Sequence, residues 1–241
     1  MHHAVIDRWS RQKSVLHARD ARAKVVVLLT FLVALGTTPR LTAPLAAAYL
    51  GLVIAAVAAA RLPAPGVFLR ASVVLPFAAA VGLASALSGH AARSADLVAR
   101  SYISAAAALV LISTTPLPKL LDGLESLGAP RFLTLVGQFL YRYLFVVSEQ
   151  AQHMRLAALS RASQSSPRRL RFRAAAGALA TLFARSHARA EGIHQAMLAR
   201  GFSGRIAPTA PSRLRPADVL FLAAGVLAAA ALRLLPLAVA R

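Results

Sequence analysis

The chain has 241 residues, 58% of them hydrophobic and only 15% charged, with a mean hydropathy of +0.61, and this excludes an ordinary soluble domain. Its 28 basic residues against 8 acidic ones give a formal charge of +20; a nucleic-acid binder can share that balance, but the long uncharged apolar runs argue against one. Cysteine is absent, which excludes disulfides, thiolate nucleophiles and thiolate metal sites together.

Residues 1–23 read as a basic cytoplasmic tail, because charges are scattered throughout and no small-residue cleavage site follows. A short apolar run, 24–35, is separated by Gly36, Pro39 and Pro44 from a second, 43–60, whose 18 residues carry no charge. At 1.5 Å per residue that second run spans about 27 Å, one hydrocarbon core. Residues 71–89 supply a third run with Pro76 as a kink, and 101–118 a fourth. The fifth candidate, 219–240, is interrupted by Arg233 and Pro236; Arg233 either snorkels from a helix end or points into a polar interior.

Between the fourth and fifth runs the pattern changes. Residues 130–160 keep apolar positions at helical spacing but add Arg131, Gln138, Arg142, Glu149, His153 and Arg155, which fits one long amphipathic helix at the interface. Ser163, Ser165, Ser166 and Pro167 interrupt it, and a second helical run follows from about Arg169 to Arg200. The block 155–205 holds ten arginines and one acid, Glu191, and so belongs in the cytoplasm. With four spans before it, the N-terminus is cytoplasmic too, and Arg93 and Arg100 fall outside against the rule, partly offset by Asp96. The expected organisation is a tail (1–23), a four-span bundle (24–115), an interfacial and cytoplasmic region (116–216) and a last membrane segment (217–241).

Two segments of the basic block resemble each other: residues 157–163, around Arg161, and residues 195–202, around Arg200. Each places an arginine at the end of an alanine-rich helix before a small residue, so a partner's surface can come close to a rigid guanidinium fork. Arg185, Arg189 and Arg200 share one side of the second helix with Ala196. Docking to a protein, anchoring to anionic headgroups and nucleic-acid binding are the three readings of this surface. Catalysis has little support: no Walker A loop occurs, Asp122 and Glu125 read as capping or charge-balancing residues, and the spans lack polar catalytic groups. His187 and His194 read as surface packing, His2 and His3 as a weak metal site at most, and His90 has no second ligand nearby.

The run Leu182-Phe183-Ala184-Arg185-Ser186, then Arg189-Ala190-Glu191, then Gln195 through Ala199-Arg200-Gly201-Phe202-Ser203-Gly204, resembles the second Ala-Arg-Gly motif of the transmembrane T component of energy-coupling factor (ECF) transporters, in their cobalt and nickel, CbiQ-like branch. Ser113-Thr114-Thr115-Pro116, Leu124-Glu125-Ser126-Leu127-Gly128-Ala129-Pro130, Tyr141-Arg142-Tyr143-Leu144 with Glu149, and Asp20-Ala21-Arg22-Ala23-Lys24 are similar to other segments of that family. Ser160-Arg161-Ala162 stands where Ala-Arg-Gly or Leu-Arg-Gly is expected.

The resemblance implies an all-α polytopic membrane protein of about five transmembrane helices plus long cytoplasmic or interfacial coupling helices, in the bacterial inner membrane. It implies a non-catalytic coupling subunit of an ATP-driven importer for cobalt or nickel ions. Arg161, Ala162, Ala199, Arg200 and Gly201 would dock on the ATPases, and Arg185 and Arg189 would support them. The implied partners are two ABC-type ATPase subunits or a homodimer, which carry the ATP and Mg²⁺, and a small substrate-capture membrane protein with or without an accessory membrane subunit. Anionic lipid is a further partner, nucleic acid is not, and this chain itself would bind no cofactor. A stand-alone permease is the alternative, with a membrane-associated nucleic-acid binder behind it.

Overall fold

Asp20 starts the first helix: its backbone is extended and its carboxylate accepts from the Arg22 amide at 2.9 Å, which satisfies one of the orphan donors at a helix N-terminus. The computed structural model describes residues 14–39, 41–89, 91–161, 167–204 and 215–239; His90, Ala162 and the residues before Ser14 lie outside these. Among the described residues the fold is entirely helical: α1 (Ala21–Thr37), α2 (Ala43–Ala59), α3 (Ala64–Leu87), α4 (Ala91–Thr114), α5 (Leu117–Ser126), α6 (Arg131–Arg161), α7 (Arg168–Ala199) and α8 (Pro216–Val239). Two units result. The first joins Met1–Ala129 to Ser212–Arg241 and holds α1–α5 and α8; the second, Pro130–Pro211, holds α6 and α7.

Three helical stretches are long and apolar enough to cross a bilayer, Ala64–Leu87, Ser94–Thr114 and Pro216–Leu234, and Ala43–Ala59 is apolar but shorter. The chain is an all-α membrane protein. Several boundaries differ from the sequence expectation for physical reasons. The third span opens at Ala64 and passes through a 3-10 turn, Ser72–Val74, because Pro76 cannot donate into the preceding turn and instead begins a fresh helical segment at Leu75. The fourth starts at Ala91, well before Ser101, and stops at Thr114, where Pro116 becomes the N-cap of α5.

Within the first unit, α1, α2 and α4 enclose the core around Tyr49, which is fully buried and meets Phe31 edge to face at 5.6 Å. Its phenol oxygen lies 3.3 Å from Thr38 Oγ1, and Thr38 in turn donates to the Ala34 carbonyl. Thr30 closes back on Val26 and Thr114 on Val110, so these hydroxyls need no water at depth. Apolar side chains gain little by leaving lipid for protein, so helix pairs here rely on close approach and polar contacts. Gly225 of α8 faces Val27 of α1, Gly82 of α3 faces Val98 of α4, and Gly123 of α5 faces Ala21 at the head of α1.

Polar ties mark the two ends of the unit. At one end Lys24 of α1 is buried and its Nζ donates to the Thr114 carbonyl at 3.0 Å and to Thr115 Oγ1 at 3.1 Å. That contact occupies the C-terminal carbonyl end of α4, where a cation is favoured. At the other end Arg100 of α4 donates to the carbonyls of Leu35, Gly36 and Thr38 and pairs with Asp96 at 3.0 Å. Arg233 of α8 reaches Thr37 Oγ1 at 3.1 Å. Lys24, the first residue of the apolar run 24–35, is an internal tie.

Candidate docking site on the basic helices

The second unit has almost no core. No residue of α7 is buried, and on α6 only Thr134 is. Phe132, Leu133 and Leu140 on α6 and Phe172, Leu179 and Phe183 on α7 are all exposed. Helices of this length keep their form through local hydrogen bonds and side-chain neighbours on the same helix. On α6 the rings of Phe139 and Tyr143 stack at 6.2 Å, Tyr141 meets Phe145 edge on at 5.2 Å, and the Arg142 guanidinium lies 5.9 Å over Tyr143. His187 stacks on Phe183 at 6.5 Å, one turn away on α7.

The sequence expectation carries α7 through Arg200, but the helix ends one residue sooner. Arg200 is its C-cap (φ −90°, ψ 9°), and Gly201 turns into the left-handed region at φ 77°. The Gly201 amide then donates to the Leu198 carbonyl at 2.9 Å and the Phe202 amide to the Met197 carbonyl at 3.0 Å. This pair of bonds is a Schellman motif, and it requires φ > 0 at the residue after the cap. The Ala199-Arg200-Gly201 triplet is therefore a helix terminator: Ala199 closes the helix, Gly201 reverses the chain, and Arg200 stands exposed between them at the negative end of the dipole. By sequence Gly201 is both a small neighbour of Arg200 and the glycine that releases the chain from the helix. The signal for its backbone role, a glycine just beyond the last periodic residue, was already present.

The same cap recurs at the end of α5, where Gly128 has φ 104° and the Ala129 amide donates to the Leu124 carbonyl at 3.0 Å. Arg161 behaves differently. It is the last residue of α6 and exposed, with Ser160 bonding back to the Leu156 carbonyl at 2.9 Å, while Ala162 lies outside the described residues. Arg185 and Arg189 stand exposed one turn apart on α7, beside a half-buried stripe of Leu182, Ser186, Ile193 and Met197. The arrangement offers separate guanidinium groups at helix ends, with no clustered acid, base or nucleophile among them. Replacing Gly201 by Val should place a β-branched residue in the left-handed region at about 1–2 kcal/mol. We expect the Phe202 amide to exchange with solvent five- to thirtyfold faster in that variant, read by hydrogen–deuterium exchange.

The first unit carries a half-open cavity of about 520 Å³ lined by α1, α2, α4, α8 and the residues just ahead of α1. Its lining is apolar, with Phe31, Val53, Val110, Phe221 and Gly225 typical, and its polar members are Lys24 and Thr114. A cation in an otherwise apolar wall is a poor path for a metal ion. Among the described residues no group of three His, Asp or Glu side chains is placed to hold a metal ion.

Comparison with known proteins places these features in a family. The CbiQ cobalt transport protein family matches residues 12–210. The cobalt transport protein CbiQ of Rhodobacter capsulatus is 32% identical over 145 residues, a stretch that covers 58% of this chain and 59% of that protein. The match includes both arginine-ended helices and the helices from α1 to α5, and the chain belongs to the CbiQ family of cobalt transport proteins.

Proposed function

We propose that this chain is the non-catalytic transmembrane coupling subunit of an ATP-driven ECF-type importer for Co²⁺ or Ni²⁺. The observation that carries the reading is the second unit: two long helices with almost nothing buried, each ending in an exposed arginine, joined at both ends to a membrane-spanning unit. Such helices are complete only when something covers their apolar positions. Arg161 and Arg200 would each enter a groove on one of two paired ATPase subunits and meet carboxylates or carbonyls there, and Arg185 and Arg189 would orient the second contact. ATP-driven approach of those subunits would move the helices, and the membrane unit would pass that motion to a separate capture protein that ligates the metal. This places α6 and α7 on the cytoplasmic side of the bacterial inner membrane, with the N-terminus on the same side.

The test is the double substitution Arg161→Ala with Arg200→Ala in the complete transporter. A charge-assisted contact is worth about 1.5–3 kcal/mol, so each site should lose on the order of ten- to a hundredfold in ATPase affinity. Co-purification of the ATPases in mild detergent and uptake of Co²⁺ should both fall. Arg200→Lys should recover only part, since an ammonium lacks the planar fork. Unchanged co-purification and uptake in the double variant would remove the docking assignment.

A further inference from the structure

The second unit is an insertion: the chain leaves the first unit after Ala129 and returns to it at Ser212. The helix before its departure, α5, and the helix after its return, α8, both belong to the first unit, and both are fastened to the opening turn of α1. Gly123 of α5 comes so close to α1 that a Cβ built on it would sit 3.0 Å from Ala21 Cβ and 3.4 Å from the Arg22 nitrogen. Lys24 holds the residues just ahead of α5 through the Thr114 carbonyl and Thr115 Oγ1. On the other side, the buried Asp218 carboxylate accepts from the Asp20 amide at 3.3 Å and from the Arg215 amide at 3.0 Å, and Arg19 lies 3.8 Å from it.

We infer that residues 19–24 form a fixed clamp that makes α5, α1 and α8 one rigid body, so that force applied to the inserted unit enters the membrane helices through the head of α1. The physical case is that both attachments are of kinds that do not slide. Close glycine packing leaves no room for an intermediate position, and a buried carboxylate or ammonium cannot leave its partners without a penalty of several kcal/mol. Lys24 and Asp218 are 5% and 3% exposed, so water is not at hand to replace those partners. Thermal motion of either attachment should therefore be small compared with what a transport stroke needs. The inference rests on the coupling reading above, and it assigns Lys24, Gly123 and Asp218 as positioning residues of that coupling.

The chain contains no cysteine, so one pair can be introduced without background. Ala21→Cys with Gly123→Cys puts two sulfurs within reach, as a small outward shift brings the Cβ atoms to the about 3.5–4.5 Å of a disulfide. In the purified chain the cross-link should form nearly to completion; a yield below about a fifth overturns the clamp, whatever any partner does. In the complete transporter the yield should be the same with and without ATP, and the cross-linked protein should take up Co²⁺ within twofold of the unmodified one. A fall in yield of fivefold or more on adding ATP, or loss of uptake on cross-linking, would show that this contact opens during transport and would overturn the clamp. Lys24→Met should leave ATPase co-purification intact, lower Co²⁺ uptake at least tenfold, and recover most of that loss when the 21–123 cross-link is added. Uptake unaffected by Lys24→Met, or lost uptake that the cross-link does not restore, counts against the clamp. Should Lys24→Met fail to accumulate in membranes, the cross-link yields decide alone. An unmodified chain that retains no ATPase sinks the coupling reading instead and leaves the yield in the purified chain as the measure of the clamp.

Discussion

Arg100→Met should lower the stability of the first unit by about 2–3 kcal/mol. The guanidinium makes contacts that no other group can take over together: Nη1 to the Leu35 and Gly36 carbonyls at 2.8 and 3.1 Å, Nη2 to the Thr38 carbonyl at 2.6 Å, and a fork onto Asp96 at 3.0 Å. Those carbonyls belong to the last turn of α1 and the residue after it, groups that a helix cannot satisfy internally. Removing the arginine leaves them and the Asp96 carboxylate without their donor. A fully buried pair broken this way costs about 3–5 kcal/mol. Arg100 and Asp96 keep 17% and 21% of their side-chain surface, so screening by solvent trims the figure. Thermal unfolding in mild detergent is the measurement, with Asp96→Asn as the milder comparison because it spares the carbonyl contacts. An Arg100→Met midpoint equal to that of the parent would mean that water reaches the end of α1 and serves those carbonyls.

Arg100 also shows why charge alone misdirects in this sequence. Counted as a loop residue it sits on the wrong side of the membrane, but it lies nine residues into α4 and is fully committed to a helix end. Lys24 is the companion case: by sequence it is the charge that opens the first apolar run, and in the fold it is inside, bonded to the end of α4. Both are long side chains whose charged ends find carbonyls at a neighbouring helix terminus. Such partners lie 65 and 90 residues away in the chain, which no local pattern reports.

What could be read locally was read well. Apolar runs located the three helices long and apolar enough to cross a bilayer and the shorter Ala43–Ala59, because hydropathy over about 20 residues is set by the bilayer rather than by any neighbour. The break at residues 163–167 and the return of helical spacing after it located α6 and α7 to within a residue or two. Helix starts and stops were less legible where they depend on a partner. The segment 91–100 that begins α4 carries Asp96 and Arg100, whose partners lie partly on α1, and the 3-10 turn ahead of Pro76 follows from a proline that opens a segment rather than bending one. At the docking site, the identity of the residues was legible but the geometry of only one was. Gly201 announces a left-handed cap and so fixes how Arg200 is presented, whereas nothing comparable follows Arg161 in the sequence. The two arginines thus share a position at a helix end, but only Arg200 is followed by a glycine.

Gly225→Leu should be the most damaging apolar substitution in the molecule, lowering stability by more than about 3 kcal/mol and the yield of folded protein with it. A Cβ at position 225 would lie 2.7 and 2.8 Å from the two γ-carbons of Val27, distances at which something must move. Val27 has a stiff, β-branched side chain on α1, so moving its methyl groups aside means leaving the one rotamer that a helix favours. Even Gly225→Ala should therefore cost about 1–3 kcal/mol, the usual range for overpacking. The two positions face each other directly, so they should not behave additively. Gly225→Ala combined with Val27→Ala should recover most of the loss of Gly225→Ala, since the alanine then fills the space the valine vacates. A double variant as unstable as the sum of the two singles would show that the conflict lies with backbone rather than with Val27. The pair matters beyond stability because α8 runs parallel to α1, held at Asp218 and Asp20 at one end and at Arg233 and Thr37 at the other. Gly225 is the midpoint of that alignment. Forcing the helices apart there would strain both end contacts at once, so the unfolding of Gly225→Leu and of a variant lacking Asp218 should fall in the same part of the molecule, as hydrogen exchange along α1 and α8 would report.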